Sequence, residues 1–446
     1  MRRVLYQFLN GLALPVFAYS AWKRCRRYKK LQQQQSLPEI HDCFRARFGF
    51  STQKFQTGGI WIHAVSVGET RSIFPLLEQL DKHYPDLPIT LTSGSTQGAV
   101  QALKFSPVPV QHQMIPYDFG FAVKRFLKQI QPQLVIMIET EIWPNLYHAC
   151  SAADIPLVLA NARLKESSFQ AYKKWGGKMV QDALNQTRFI AAQFPEDAEH
   201  FAQLGAEPQK IRTLGNLKFD LPHDHQLRKR AEEWKASSRI ENKFIWVAAS
   251  THKDPLGGKS EEQLMLEAHK MVLKKHPDAL LILVPRHADR FEEAAQLLSE
   301  SDLKWAQRSH AANIDSDIQV YLADSVGELM LWFAACNAAF IGGSMVEFGG
   351  HNILEPASLH RPVISGPHYA NLQALFNTFI RTDSLQITDT PQTLAALLSN
   401  FADDPKHQIE FGERAYQAFS HHSGALERLL DAIDPLIHRK KPMDLS

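Results

Sequence analysis

The sequence predicts an α/β protein made of two Rossmann-like halves, each a parallel, doubly wound sheet. Three observations carry that expectation. Apolar runs of strand length alternate with helical stretches along most of the chain. A charge-rich zone from Thr213 to Arg239, holding the turn Gly215-Asn216, divides the runs into two series. A glycine-rich run, Gly342 to Gly350, follows one strand of the second series and precedes a helical stretch.

The elements follow in chain order. Val4 to Trp22 carries no charge, and its length is close to the ~20 residues that span a bilayer. Gln7, Asn10, Gly11 and Pro15 interrupt its apolar character. No small-residue cleavage site follows, which argues against a removable signal peptide. Arg2 and Arg3 precede the segment; Lys23, Arg24, Arg26, Arg27, Lys29 and Lys30 follow it. That double flank favours a cytoplasmic placement and contact with anionic headgroups. Residues 1–30 are therefore expected to associate with a membrane. The competing reading is a buried amphipathic helix with a solvated basic end.

Residues 31 to 57 read as a polar connector. The first series of strands is Ile60–Val67, Ile89–Thr92, Leu134–Ile138, Leu157–Ala160 and Phe189–Ala192. The second is Phe244–Ala249, Ala279–Val284, Ile318–Tyr321, Ala338–Ile341 and Pro362–Ile364. The domains are placed at 31–215 and 216–404, with a helical segment at 405–446.

Composition narrows the function. The chain has 446 residues, 44% hydrophobic and 22% charged, as an ordinary globular protein does. The net charge is only +2, and the basic residues cluster at the N-terminal end instead of on an aromatic-bearing groove. No nucleic-acid partner is expected. Cys25, Cys43, Cys150 and Cys336 show no paired spacing. The expectation is no disulfide framework, no zinc site and a reducing compartment.

Ligands of such sheets lie beyond the carboxyl ends of strands, so the strand-to-helix junctions are the candidate sites. Glu69 follows the first strand. A carboxylate there can serve as a general base toward a hydroxyl, or can simply favour a helix N-terminus. Glu139 and Glu141 follow a strongly apolar strand, where burial of an unpaired charge is costly. Glu141 can pair with Arg163 in the next junction, Asn161-Ala162-Arg163, or the group can form an acceptor site. Asp118, before a helix, reads first as an N-cap. Lys218 either faces an anion or lies solvated in a hinge turn.

In the second half, Ser250 and Thr251 end a strand and offer hydroxyl and amide donors. Arg286 and His287 end another, and a guanidinium there suits a phosphate. Gly349, Gly350, His351 and Asn352 let backbone N–H groups approach an anion, with a helix starting near Asn352. Glu355, one turn on, is in reach of a ribose hydroxyl.

Together these segments resemble the 3-deoxy-D-manno-octulosonic acid (Kdo) transferases of lipopolysaccharide and lipid A biosynthesis. The resemblance rests on His63-Ala64-Val65-Ser66-Val67-Gly68-Glu69, the Glu139–Asn145 segment, Asn161-Ala162-Arg163-Leu164, and Gly215-Asn216-Leu217-Lys218-Phe219-Asp220. Pro285-Arg286-His287 and Gly349-Gly350-His351-Asn352-Ile353-Leu354-Glu355-Pro356 complete it, all six in order. Lys165-Glu166-Ser167-Ser168 departs from the family's Ser-Glu-x-Ser, and the 253–259 loop is longer than the family's.

The resemblance implies a GT-B fold, two Rossmann-like domains facing a cleft, with the acceptor in the first and the nucleotide in the second. It implies CMP-Kdo as donor and the 6-hydroxyl of the lipid A precursor (lipid IVA) as acceptor, at the cytoplasmic face of a bacterial inner membrane. It makes Glu69 the general base of an inverting single displacement. Ser250, Thr251, Arg286, His287, Gly349, Gly350, His351, Asn352 and Glu355 become donor ligands. Asp118, Glu139, Glu141, Asn161, Arg163 and Lys218 become acceptor or Kdo contacts. No metal or other cofactor is expected. The alternatives are a GT-B enzyme using a UDP-sugar, with Glu347 and Glu355 as its paired carboxylates, and a non-catalytic membrane-bound sensor.

Overall fold

The computed structural model describes residues 3–34, 36–220, 226–310, 313–420 and 423–437. Arg2, in the expected basic flank, and residues 438–446 of the expected C-terminal segment lie outside them. The described residues form two compact units. One holds those from Arg3 to Asp220 together with Ser423–Ile437; the other holds those from Gln226 to Ser420.

The first unit has a seven-stranded sheet. Its strands are β1 (Ile60–Ala64), β2 (Ile89–Ser93), β3 (Gln111–Met114), β4 (Leu134–Ile138), β5 (Leu157–Ala162), β6 (Phe189–Ala192) and β7 (Ile211–Thr213). The order is β3-β2-β1-β4-β5-β6-β7, and every pairing is parallel. The order reverses between β1 and β4, which opens a crevice at their carboxyl ends. Central strands such as Leu134–Ile138 are buried at every position, as helices on both faces require.

The second unit repeats the design with β8 (Ile245–Thr251), β9 (Leu280–Pro285), β10 (Trp305–Gln307), β11 (Val320–Leu322), β12 (Ala338–Ile341), β13 (Val363–Ser365) and β14 (Gln386–Ile387). The order is β10-β11-β9-β8-β12-β13-β14, again all parallel, with the switch between β8 and β12.

Four strands were absent from the sequence expectation: β3, β7, β10 and β14. Each is the edge of its sheet. Edges are short and carry polar residues, as Gln-His-Gln-Met and Trp-Ala-Gln do. The helix near Asn352 also differs from expectation. It begins at Leu354 and has only 5 residues, so it offers little macrodipole.

The helix Ala425–Ile437 belongs to the first unit. Leu429, Ile433 and Ile437 join Leu76, Leu77 and Leu80 in one core cluster. Asp220 accepts the N–H groups of Gly424 and Leu426 and so fixes the start of that helix.

The N-terminal helix runs from Arg3 to Gln34, through the basic cluster. It is long and apolar enough to cross a membrane. Val4, Leu5, Phe8, Leu12 and Val16 are exposed. The polar residues that interrupt it face the protein instead: Gln7 donates to Asn145 and Asn10 to the Asp118 carbonyl. Contrary to the cysteine expectation, Cys25 and Cys43 form a disulfide. They lie 18 positions apart in the sequence, a spacing with no signature of its own. Packing of Tyr28 with Ile40 and Ala46 brings that part of the helix onto the loop carrying Cys43.

Candidate functional site

The first unit gathers its acids at the β1/β4 switch. Ser66 caps the short helix Val67–Ser72 by accepting from the Glu69 N–H. The Glu69 carboxylate turns back, accepting from Val65 N at 2.7 Å and Ser66 Oγ at 2.8 Å. This is close to a capping box, so the helix-start role is real. Each carboxylate oxygen still has a lone pair to spare. Burial raises the Glu69 pKa above its ordinary value; the two hydrogen bonds and Lys218 oppose that, and Glu139 reinforces it.

Glu139 ends β4 in the left-handed region, φ 62°, a conformation a non-glycine residue holds only under constraint. Its N–H donates to the Ala160 carbonyl at 3.0 Å, and Lys218 Nζ lies 2.8 Å from its Oε1. Lys218 is itself set by a buried polar net. Asn161 Oδ1 accepts Leu217 N at 3.0 Å, and Asn216 bonds Gln193 and the Lys218 N–H. Asn161 is 2% exposed and therefore positions the turn from within.

Among the described residues Glu141 makes no ion pair with Arg163. It accepts the Trp143 indole N–H at 2.6 Å. Burial, with Glu69 and Glu139 nearby, pushes its pKa up to about 7. Arg163 is half-buried and favours the ionised form of Asp197 instead. Contrary to the N-cap expectation, Asp118 does not cap the helix Gly120–Ile130 beside it; its carboxylate accepts Asn145 N at 3.0 Å and Leu146 N at 2.8 Å, first-turn donors of the later helix Pro144–Ala152. Burial lifts it to about 6. His63 is fully buried against Thr92 and stays neutral, with a pKa near 3.

The second unit gathers its groups at the β8/β12 switch. Glu261 was not anticipated there. Its carboxylate accepts the N–H groups of Gly343, Ser344, Met345 and His252, at 2.6 to 3.0 Å. The first part of the glycine loop therefore already holds an anion, and it is a side chain. Gly349 and Gly350, with φ 108° and 78°, carry the loop onward to His351 and Asn352. Thr251 spends its hydroxyl on Glu262. Ser250 is buried with φ 58°.

Around these, His252 stacks on Phe348 at 3.8 Å and meets His351 Nε2 at 2.7 Å. Burial first, then the neighbouring cationic groups, hold both imidazoles near 4, so the pair is neutral at pH 7. His287 packs edge-on against His252. Glu355 accepts from Asn352 and lies in the field of Arg286; burial raises its pKa. Glu347 is exposed. The site thus presents Arg286, three imidazoles and one aromatic face.

Two α/β units, each a parallel sheet with one switch point, are the architecture of the GT-B fold. A putative UDP-N-acetylglucosamine 2-epimerase from Listeria monocytogenes shares that architecture, with TM-score 0.57, 14% identity, and coverage of 88% of this chain and 100% of its own. The sequence profile of the 3-deoxy-D-manno-octulosonic-acid transferase (kdotransferase) family matches residues 42–221. The transferase of that name from Haemophilus influenzae is 36% identical over 85% of this chain and 88% of its own. That from Bordetella pertussis is 31% identical over 96% and 97%. The chain belongs to the 3-deoxy-D-manno-octulosonic acid transferase family.

Proposed function

We propose that the protein transfers Kdo from CMP-Kdo to the 6-hydroxyl of the lipid A precursor, in one inverting displacement with Glu69 as base. The observation that carries this is the Glu69 carboxylate at the first switch point, oriented by Val65 N and Ser66 Oγ with lone pairs free. The acceptor oxygen attacks the anomeric carbon and its proton passes to Glu69. The bond to the donor phosphate breaks, and CMP leaves with the electron pair. Arg286 and the Gly349–Asn352 amides would offset the charge that develops on the phosphate. These groups make a metal unnecessary, so transfer in excess EDTA should match that without it. The family supports the Kdo donor. The N-terminal helix and its basic flank support action at the cytoplasmic face of the inner membrane.

One observation favours a second reading of the base. Glu141, near 7, is closer than an ordinary carboxylate to the pKa best suited to proton transfer at neutral pH. Transfer by Glu69→Gln and Glu141→Gln, followed by product mass, separates the two. Loss with Glu69→Gln alone supports Glu69; loss with Glu141→Gln alone moves the role. Inhibition by CMP but not UDP is expected. The reverse would sink the CMP-Kdo donor in favour of a UDP-sugar.

A further inference from the structure

A cavity of about 350 Å³ lies between the N-terminal helix and the first sheet. Its floor includes Val65, whose N–H holds the Glu69 carboxylate, and Glu141. Its outer wall is the helix itself, through Tyr6, Asn10 and Phe17. That wall is fixed to the unit. Tyr6 donates to Asp118 at 3.0 Å, and Phe17 packs against Tyr117 and Phe119 at 5.1 and 5.6 Å.

Arg47 lines the same cavity and is 5% exposed. Its guanidinium donates to the carbonyls of Ile115 (3.2 Å) and Gly94 (2.5 Å) and lies over the Tyr117 ring. Among the described residues it forms no ion pair with a carboxylate. Two carbonyls leave donors of the five-donor fork unused. A buried cation without a counter-charge is costly, and a cavity beside it lets a ligand supply that charge. Tyr117 lies beside it, and Phe119, Ile142 and Trp143 add apolar wall; Asp118 and Glu141 also line the cavity, Asp118 with its carboxylate taken up by Tyr6, Asn145 N and Leu146 N.

We propose that this cavity binds the phosphorylated part of an amphiphilic acceptor, with Arg47 on the phosphate and the aromatic walls against the adjoining apolar part. The N-terminal helix is then a wall of the binding site as well as an anchor. Continuity with Val65 and Glu141 selects the acceptor over a bilayer phospholipid, because a molecule seated here ends beside the proposed base. The inference deepens the transferase reading and rests on it for the identity of the acceptor.

The test is equilibrium binding, without donor, so that it does not depend on turnover. Lipid A precursor and its enzymatically dephosphorylated form are titrated in phospholipid-free micelles against wild type, Arg47→Lys and Arg47→Met. Wild type should bind the phosphorylated form about 10- to 100-fold more tightly, the range for charge-assisted hydrogen bonds. Arg47→Met should lose that preference and Arg47→Lys should keep part of it. Equal binding of both forms by wild type overturns the proposal, as does an equal loss on both forms in Arg47→Met. If Arg47→Met does not fold, the preference ratio of Arg47→Lys decides: unchanged from wild type, it removes Arg47 from phosphate binding. The same proteins are also titrated with anionic phospholipid vesicles: an Arg47→Met that loses only vesicle binding assigns the site to bilayer headgroups and also overturns the proposal. Absence of transfer by wild type would refute the reaction and leave this binding result standing.

Discussion

The two switch points hold their carboxylates with different numbers of hydrogen-bond donors. In the second unit Glu261 takes four backbone N–H groups and is spent on holding the glycine loop. In the first, Glu139 pairs with Lys218, which also opposes the effect of burial on Glu69, while Glu69 accepts two hydrogen bonds and Glu141 one; burial raises the pKa of Glu69, Glu141 and Glu261 alike, so the difference lies in the number of donors. A saturated carboxylate is scaffold; an under-compensated one keeps lone pairs for a substrate and costs stability. That difference sets the proposed base, Glu69, apart from Glu261 although both sit in the first turn of a helix.

The sharpest way to break this contrast is to neutralise one acid of each kind. Glu69→Gln should lower the transfer rate by roughly 10²–10⁴, the usual span for a general base, with Tm nearly unchanged. Glu261→Ala should instead unfold the second unit readily, because four amides lose their acceptor. A loss on the order of 3 kcal/mol or more is expected, read by denaturant titration. A Glu261→Ala protein as stable as wild type would remove the scaffold role.

Glu141 sharpens the contrast through pH. Its folded pKa lies above its unfolded value, so ionising it works against the fold. The penalty is absent below about pH 4.5 and complete above about pH 7. Glu141→Gln should therefore gain about 3 kcal/mol at pH 8.5 and nothing at pH 4.5. Equal Tm differences at both pH values would contradict that. The smallest effect belongs to Lys218→Met. Lys218 lowers the Glu69 pKa, so its loss should move the acid limb of kcat/KM to higher pH. An unmoved limb would uncouple the two groups.

Much of this was legible in the residues because the central strands are apolar at nearly every position. Leu134–Ile138 and Ala338–Ile341 announce themselves; Gln111–Met114 does not, because an edge strand needs no continuous apolar run. The position of Glu69 after a strand was legible for the same reason. The role of Glu261 was not, because three of its four partners lie 82 to 84 residues away in the glycine loop. Asp118 likewise accepts from the first turn of a helix starting 26 residues later, at Pro144, instead of capping the one beside it. The Cys25–Cys43 bridge had no local signal, since a helix and a loop brought together by packing made it.

The most direct measurement is Kdo transfer from CMP-Kdo to lipid A precursor by wild type, Glu69→Gln and Glu141→Gln, each shown to be folded. The account predicts product from wild type and Glu141→Gln and almost none from Glu69→Gln. Full activity in folded Glu69→Gln would contradict it.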